Sequence, residues 1–278
     1  MKRIIRINSH PGNGATVIVA KGYTSPVVKK SHAADHIPNE DIIAEISEFF
    51  IGNGKLRNNL LFLLGCNCGL RCGEIISLKW GQLIDPDGTI KSKAVFIEEK
   101  NSQKDKVDEE TGNIIKGKVK TREVVINDTV KEAIDIFMRS KEMIALDDFV
   151  FKSESRSANY YSQRRKNGIG ARADHMTRQA VDQMLKKTIK ETLGYIDFHV
   201  STHTMRKTFA RCVWDRAPES QRNDVARFLQ KMLGHASLDS TLHYIGVTQQ
   251  EMDDTYMNLN LGKRKKTAKV VALKIPVE

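Results

Sequence analysis

Two arginines, two histidines and a tyrosine lie in short motifs that together could perform chemistry on a phosphate group. The motifs are Gly69-Leu70-Arg71-Cys72-Gly73-Glu74, His203-Thr204-Met205-Arg206, Leu233-Gly234-His235, and Tyr244, nine residues after His235. Two guanidinium groups can hold the non-bridging oxygens of a phosphodiester, a tyrosine hydroxyl can attack the phosphorus, and a histidine can accept the phenol proton. Each motif alone is more often a salt bridge or a packed side chain, so only the combination predicts a phosphoryl-transfer site.

The same sequence offers no acidic cluster suited to Mg²⁺ and no glycine-rich phosphate loop that ends in Lys-Ser or Lys-Thr. Neither a metal nor ATP is therefore implied, and a lysine can protonate the departing 5′ oxygen. We therefore expect no cofactor. Cys66, Cys68, Cys72 and Cys212 lack the spacing and the nearby histidines of a structural zinc site, and we expect buried thiols.

Positive charge is concentrated at the two ends of the chain and in one internal strip. The chain has 278 residues, with 45 Lys and Arg against 34 Asp and Glu. Residues 1–36 and residues 261–278 each carry six basic side chains and one acidic side chain, and residues 151–190 carry ten basic and three acidic ones. This distribution is typical of a protein that binds a polyanion, although a solubility surface with basic tails would have the same composition.

The sequence argues against two classes of protein. No apolar run reaches the roughly 18 residues that cross a bilayer, and Met1–Arg6 has no long apolar region behind its charges. We therefore expect neither a membrane protein nor one exported by a signal peptide, and we expect a cytoplasmic location. With 40% hydrophobic and 28% charged residues, the chain can bury a sizeable core.

Hydrophobic periodicity predicts a mainly α fold with one small antiparallel β-sheet, an α+β arrangement. Residues 1–36 alternate only weakly and could form a short strand pair or a loose arm. The first expected helix follows the cap Asn39, the second spans Leu56–Leu64, and the third covers about Arg71–Leu78. Two more begin at the cap Asp128 and after Thr177, and two cover about 203–214 and 219–233. A short helix leads to Tyr244, and the last begins at the capping box Thr248–Glu251. The expected strands are Leu83–Ile84, Ala94–Ile97 and Val124–Ile126, with Thr111-Gly112-Asn113 as a hairpin tip.

In order and spacing, the four motifs resemble the boxes of the tyrosine recombinase (phage integrase) family over about residues 38–258. The resemblance implies a catalytic domain of the tyrosine recombinase and type IB topoisomerase kind. It also implies a 3′-phosphotyrosine intermediate on double-stranded DNA with a free 5′-hydroxyl. Strand exchange would then pass through a Holliday junction inside a tetramer.

The resemblance also implies a role for each residue. Arg71 and Arg206 correspond to the two phosphate-binding arginines, and Tyr244 corresponds to the nucleophile. His203 would handle protons and contact the phosphate, and His235 would support the phosphate and the attacking hydroxyl. Two neighbours of these residues are interpreted as structural: Glu74, which holds the helix of the first arginine, and Lys207, which stands where many relatives have a histidine.

The family also uses a lysine near the scissile bond, and here a long hairpin offers several. They are Lys100, Lys104, Lys106, Lys116, Lys118 and Lys120. If Thr111-Gly112 is the tip, Lys100 lies near the level of Arg122 and Glu123 on the other strand. We therefore predict that Lys100 is catalytic, with Lys104 and Lys118 as alternatives; the opposing interpretation is that most of these lysines only contact phosphate.

The predicted organisation is a basic N-terminal arm over 1–36, a catalytic domain over 37–262 and a basic C-terminal tail over 263–278. Relatives commonly carry a helical core-binding domain before the first arginine box, and about 36 non-helical residues stand there in this sequence. We expect the two basic ends to replace part of that clamp through phosphate contacts. Residues 249–260 are expected to dock on a neighbouring subunit, and Tyr256 is expected to pack against a neighbour rather than react.

Three functions fit these patterns. The first is a site-specific DNA recombinase that performs integration, excision, resolution or inversion and is encoded by a prokaryote, phage or plasmid. The second is a type IB topoisomerase-like nicking-closing enzyme that uses the same tyrosine. The third is a catalytically idle DNA-binding regulator, which would have no chemical need for the full set of motif residues.

Overall fold

The computed structural model describes residues 3–6, 16–19, 33–98, 106–107, 114–115, 117–153, 175–246 and 256–257. The chain divides into two compact units, Met1–Ala33 and Ala34–Glu278. In the first unit, strand β1 (Arg3–Arg6) pairs antiparallel with β2 (Thr16–Val19). Of the two arrangements that the weak alternation of this segment allows, the structure therefore has the strand pair.

The second unit is mainly helical. Its helices are α1 (Glu40–Gly52), α2 (Leu56–Cys68), α3 (Cys72–Ile76), α4 (Asp128–Arg139), α5 (Arg178–Leu193), α6 (Thr204–Asp215), α7 (Arg222–Leu233) and α8 (Leu238–Ile245), with short 3-10 turns at Trp80–Gln82 and Glu219–Gln221. Strand β3 (Lys93–Ile97) pairs antiparallel with β6 (Thr121–Val125), and β4 (Lys106–Val107) pairs with β5 (Ile114–Ile115). The predicted fold class, mainly α with a small antiparallel sheet, is confirmed.

Side-chain caps determine where several of these helices begin. Asn39, Thr177 and Ser237 each accept a hydrogen bond from the backbone N–H three residues later. The predicted cap of α4 was one residue off, because the Asn127 side chain accepts this bond instead. Asp128 is the first helical residue, where its negative charge lies at the positive end of the helix.

Helix α2 lies at the centre of the main core. It is apolar on nearly all sides, as expected for a helix enclosed by others, and α1, α4 and α6 pack around it. Leu60, Leu61 and Leu64 are completely buried. Helix α6 approaches α2 closely at Gly65, where an added Cβ would lie 2.7 Å from the Met205 side chain. This packing fixes the start of α6 relative to the end of α2.

A second, smaller core joins the last three helices of the described chain. Phe209 from α6, Leu229 and Leu233 from α7, and Ile245 from α8 are buried together. Tyr244 packs against this cluster and is partly buried. The cluster holds the ends of α7 and α8 against the middle of α6.

The register of the hairpin base is described for β3 and β6 only. Phe96 lies opposite Arg122, and Val95 lies opposite Glu123. The level of Lys100 near Arg122 and Glu123 stays a prediction, because this register changes before β4 and β5, where Lys106 lies opposite Ile115. Lys100 itself lies outside the described residues.

Two other expectations about the chain need comment. Leu83–Ile84 is not a strand, because it follows directly on the turn Trp80–Gln82 and makes a single bridge, from Ile84 to Ile90. The predicted hairpin tip Thr111–Asn113 and the capping box Thr248–Glu251 lie outside the described residues. Within the parts of the chain that the structure describes, no helix is long and apolar enough to cross a membrane.

Candidate active site

Five of the six predicted site residues lie together where α3, α6, α7 and α8 meet. They are Arg71 just before α3, His203 just before α6, Arg206 in the first turn of α6, His235 after α7, and Tyr244 near the end of α8. The sixth, Lys100, lies outside the described residues. Residues more than 170 positions apart in the chain are thus neighbours in the fold.

A left-handed glycine and a buried carboxylate position Arg71. Gly69 ends α2 with φ of 59°, and a Cβ at this position would lie 2.4 Å from the Phe209 ring, so glycine suits both the backbone and the space. Glu74 accepts hydrogen bonds from the backbone N–H of Arg71 at 2.8 Å and from its Nη1 at 2.9 Å. One carboxylate therefore holds both the main chain and the guanidinium group of Arg71, as a structural role for Glu74 requires.

The last carbonyl groups of α7 hold both arginines. Arg206 is only 2% exposed, and it donates from Nη1 to Gly69 O at 2.6 Å and from Nη2 to Leu233 O. Arg71 donates from Nη2 to Leu233 O at 3.3 Å and to Gly234 O at 3.4 Å. The carbonyls at a helix C-terminus lack helical partners and carry the negative end of the dipole, so they attract cations. The two guanidinium groups share one acceptor and are fixed side by side.

Tyr244 reaches this pair of arginines within its own chain. Its hydroxyl lies 3.4 Å from His203 Nδ1, and its ring centre lies 5.9 Å from Arg206 Cζ. The ring of His235 meets the tyrosine ring edge to face, with the centroids 5.1 Å apart. The contact from the hydroxyl to His203 is long for a hydrogen bond, as is common for catalytic pairs before substrate binds.

Burial and nearby cations set the ionisation of these groups. Burial raises the pKa of Tyr244 to about 12, although the positive charges of Arg206 and Arg71 oppose this rise. Burial lowers the pKa of His203, and the positive charges of Arg206 and Lys207 lower it further. Burial also lowers the pKa of Arg206, to about 10, which leaves the group charged at neutral pH. Near pH 7 the phenol keeps its proton and His203 is neutral, so the imidazole is ready to accept that proton.

Hydrogen-bond partners assign the tautomer of His235. Its Nδ1 lies 3.0 Å from Thr241 Oγ1, and that hydroxyl donates to Ser237 O at 3.4 Å. Because the threonine proton is already used, Nδ1 carries the hydrogen and donates it to the threonine. The lone pair on Nε2 is then left for Arg206 Nη2, at 3.5 Å. Thr241 is fully buried, so it holds the ring of His235 in one orientation.

These groups suit the binding of one tetrahedral anion beside a phenol. Arg71 and Arg206 are charged and held in place by the protein, so they need no reorganisation when a phosphate arrives. The N-terminus of α6, where His203 and Arg206 lie, adds the positive end of a helix dipole. A neutral imidazole stands beside the hydroxyl that would attack the phosphorus.

Sequence reasoning missed Arg122. Its Nη2 lies 3.2 Å from Glu74 Oε2, its Nη1 donates to Met232 O, and its side chain is 11% exposed. A signal was present in the sequence, because residues two apart in a strand face the same side of it. Arg122 therefore shares a face with Val124, which packs against the core. An arginine on the inner face of a strand must find polar partners there.

The lysines of the site are only partly described. Lys118, one alternative to Lys100, is exposed, and Lys104 lies outside the described residues. Lys120 Nζ lies 3.5 Å from Glu98 Oε2. Lys207, interpreted from the sequence as scaffold, is half-buried, and its Nζ lies 5.7 Å from the centre of the Tyr244 ring.

The four cysteines are all free. Cys66, Cys68 and Cys72 are buried, which confirms the prediction of buried thiols for these three, whereas Cys212 is half-buried. Burial raises the pKa of Cys68 to about 12 and that of Cys72 to about 11, so neither thiol ionises near neutral pH. In the described parts of the chain, no group of three or more His, Cys, Asp and Glu side chains could hold a metal ion.

Two comparisons place these features among known sequences. The sequence model of the phage integrase family matches residues 38–251, well over half of the chain. Tyrosine recombinase XerC of Staphylococcus saprophyticus is 21% identical over 239 residues, which cover 85% of this chain and 66% of that protein. The chain thus spans two thirds or less of the length of the first curated relatives that it matches.

Solved structures show the same fold. XerA recombinase is 19% identical, with a TM-score of 0.51, and the match covers 80% of this chain and 64% of that one. XerH site-specific recombinase, in a post-cleavage complex with a palindromic difH substrate, is 15% identical, with a TM-score of 0.51 and coverage of 80% and 52%. The order and spacing of the motifs, the helical fold and the match to the family model agree. The chain belongs to the phage integrase family, the tyrosine recombinases.

Proposed function

We propose that the protein is a site-specific DNA recombinase that cuts and rejoins DNA through Tyr244. The observation that carries this proposal is the position of the Tyr244 hydroxyl, 3.4 Å from His203 Nδ1 and beside Arg206, which shares the carbonyl of Leu233 with Arg71. Family membership supports it, and so do the names of relatives such as XerC and XerH. The outcome of exchange would be integration, excision, resolution or inversion of a DNA segment.

In the cleavage step, Tyr244 Oη attacks the phosphorus of a backbone phosphodiester. The new O–P bond replaces the bond from phosphorus to the 5′ oxygen, and a 3′-phosphotyrosine forms. His203, which its lowered pKa keeps neutral near pH 7, takes the phenol proton at Nδ1. A hairpin lysine gives a proton to the departing 5′ oxygen. We assign that role to Lys100, with Lys104 and Lys118 as alternatives.

The arginines stabilise the charge of the transition state. Arg71 and Arg206 bind the non-bridging oxygens, which gain negative charge as the phosphorus becomes pentacoordinate. His235 supports the phosphate from the side of Arg206, to which it is already close. Because the guanidinium groups supply this charge, we expect cleavage to proceed without added metal or ATP.

Rejoining reverses these steps with a different strand. The 5′-hydroxyl of a partner duplex attacks the phosphotyrosine, the tyrosine leaves and regains its proton, and two such exchanges pass through a Holliday junction.

We propose that four subunits assemble on DNA, with residues 249–260 of each docked on a neighbour. The catalytic domain would span 37–262, flanked by a basic arm (1–36) and a basic tail (263–278), and would act in the cytoplasm of a prokaryotic host.

The test of the nucleophile uses nicked suicide duplexes that trap a covalent adduct. Because the DNA target is unknown, the duplexes carry randomised sequence, and the adduct is detected on a denaturing gel. Wild type should form it in the presence of EDTA, and Tyr244→Phe should not. Tyr195→Phe is the matched control and should behave like wild type, since Tyr195 is exposed and lies outside the proposed docking segment. An adduct in Tyr244→Phe would show that the nucleophile is misassigned.

Two further experiments separate the alternatives. A recombinase joins the ends of two duplexes, whereas a nicking-closing enzyme only relaxes supercoiled plasmid, and an idle regulator binds DNA without forming an adduct. Assembly is measured by sedimentation of protein–DNA complexes. A chain truncated after residue 248 should lose the tetramer and keep monomer binding, and an unchanged tetramer would contradict the proposed docking of 249–260.

A further inference from the structure

We propose that Arg122 is a positioning residue that couples the base of the β3–β6 hairpin to the pair of phosphate-binding arginines. Its effect on cleavage rests on the proposed function. The placement itself rests on contacts with three elements: α3 through Glu74, the end of α7 through Met232, and the hairpin base through Glu98.

The first contact acts on Arg71. Arg122 Nη2 lies 3.2 Å from Glu74 Oε2, and the same oxygen accepts the backbone N–H of Arg71 at 2.8 Å. The other oxygen of Glu74 accepts from Arg71 Nη1. Because this carboxylate is buried, its two positive partners hold it in place. Arg122 therefore sets the orientation of the group that orients Arg71.

The second contact acts on α7. Arg122 Nη1 donates to Met232 O, and the next carbonyl along the chain, Leu233 O, accepts from Arg71 and Arg206. Three guanidinium groups thus hold the C-terminus of one helix. His235 follows this helix end directly, so a shift of the end would move the histidine together with the acceptor that the two arginines share.

The third contact joins this network to the hairpin. Arg122 Nε lies 3.8 Å from Glu98 Oε1, while Glu98 Oε2 lies 3.5 Å from Lys120 Nζ and the backbone N–H of Glu98 donates to Lys120 O at 2.8 Å. Glu98 is buried, so Arg122 stands between two buried carboxylates on different elements. The segment between Glu98 and Lys120 carries the candidate catalytic lysines Lys100 and Lys118.

Only an arginine can make these contacts at once. Its planar fork presents donors in several directions, whereas a lysine is a single point of charge on a flexible stem. A lysine at 122 would pair with one carboxylate at a time, so the contacts to Glu74, Glu98 and the carbonyl of Met232 would not be made together. We therefore infer that Arg122 transmits the position of the hairpin on its substrate to Arg71 and to the end of α7.

The first experiment compares Arg122→Lys with the control Lys93→Gln, which alters an exposed ion pair with Glu123 on the outer face of the same strand pair. Single-turnover adduct formation at saturating protein should slow by about 10- to 100-fold in Arg122→Lys, as for other residues that orient the groups in direct contact with substrate. DNA affinity and the unfolding midpoint should stay near those of wild type and of the control. A wild-type cleavage rate in Arg122→Lys would overturn the proposal.

The second experiment asks whether Arg122 acts through Glu74. If it does, Arg122→Lys should slow cleavage little further in a protein that already carries Glu74→Gln, because both changes disturb the same link. Rate reductions that multiply in the double variant would show an independent structural effect and contradict the proposal.

A third measurement keeps the inference separate from the proposed function. Inorganic phosphate is titrated calorimetrically into the full chain without DNA. Weaker phosphate binding in Arg122→Lys, with Lys93→Gln unchanged, supports positioning even if wild type forms no DNA adduct, an outcome that would defeat only the recombinase proposal. Equal phosphate affinity in all three proteins would reject the role of Arg122.

Discussion

At the scale of single residues, the buried charge of Arg206 explains how the site is prepared for an anion. A guanidinium group that is almost fully buried is costly unless its donors are paired, and here Gly69 O and Leu233 O pair them. The same bonds prevent the side chain from turning. Most of the reorganisation that an exposed arginine would need on binding phosphate is therefore already complete in the folded protein.

We predict that Arg71→Ala and Arg206→Ala each keep DNA binding and lose about 3–4 kcal/mol of transition-state stabilisation, by analogy with the removal of oxyanion donors. Single-turnover cleavage of a suicide substrate measures this effect. Arg139→Ala is the control, because Arg139 makes only an exposed pair with Asp135 one turn away. Near-normal rates in either site variant would contradict the assignment.

The two variants should differ in stability. Arg206→Ala removes the side chain that donates to both Gly69 O and Leu233 O, and it leaves a buried space. Arg71 is more exposed, so its removal should disturb the fold less. We expect a clearly lower unfolding midpoint for Arg206→Ala than for Arg71→Ala, measured by thermal denaturation.

We predict that the cleavage rate falls at acid pH with a midpoint below 6.5, because the neutral form of His203 is the proposed base and its pKa is lowered in the folded protein. The rate should be level from about pH 7 until the lysine that protonates the 5′ oxygen loses its own proton, ordinarily near pH 10. His203→Gln should be slow and lose this acid limb, whereas His199→Gln, a change at an exposed histidine, should keep it. An unchanged acid limb in His203→Gln would assign it to another group.

The same lowered pKa affects stability. The unfolded chain binds a proton at the ordinary histidine pKa of about 6.5, whereas folded His203 binds it only at lower pH. Stability is therefore fully present above this value and decreases as the pH falls through it. Rates at acid pH must be compared with unfolding measured at the same pH.

At the scale of elements, the turn at the end of α2 requires glycine at position 69 for two reasons, its backbone conformation and the space around it. Gly69 has a left-handed backbone, and its neighbour across the gap is the ring of Phe209 from α6. The carbonyl of the same residue accepts from Arg206. The turn thus directs the chain toward Arg71 and at the same time anchors the other arginine.

We predict that Gly69→Ala is more destabilising than Gly88→Ala. Both residues have positive φ, 59° and 86°, so each alanine carries about 1–2 kcal/mol of left-handed strain. Only the alanine at 69 would also overlap a neighbour, which adds about 1–3 kcal/mol. Urea denaturation measures the difference. Equal costs at both positions would show that the Phe209 ring moves aside freely.

At the scale of the whole molecule, residue 33 is the natural end of the N-terminal arm. The residues that follow are held by the catalytic unit: Ile37 N–H donates to Thr208 Oγ1 at 2.9 Å, and Asp35 N–H donates to His199 O at 2.8 Å. The arm predicted to end at 36 can therefore be removed up to residue 33 without cutting these bonds. Residues 1–33 carry six basic side chains and no acidic one.

We predict that deletion of residues 1–33 weakens DNA binding and makes it less dependent on salt. For every phosphate that the arm no longer neutralises, the slope of log K against log salt should become shallower by about 0.9. Fluorescence anisotropy at several salt concentrations measures the slope, and deletion of 263–278 should act in the same direction. The full and shortened chains should converge at high salt. Unchanged affinity and slope in both deletions would reject the arm and tail as phosphate-binding segments.

The sequence alone determined the features that depend on a few consecutive residues. One helical turn separates His203 from Arg206, Glu74 reaches back to its own helix start at Arg71, and Asn39 caps α1, all because backbone geometry relates residues three or four apart. The order of the motifs then indicated the family and the helical fold.

Only the tertiary structure decided which distant groups share a partner. Leu233 O accepts from both Arg71 and Arg206, and Arg122 reaches Glu74 and Met232 across 48 and 110 positions of the chain. The register of β3 against β6 was also decided there. Local periodicity tells which face of a strand or helix is buried, but the partner on that face depends on how whole elements pack, and a register shift changes every pairing at once.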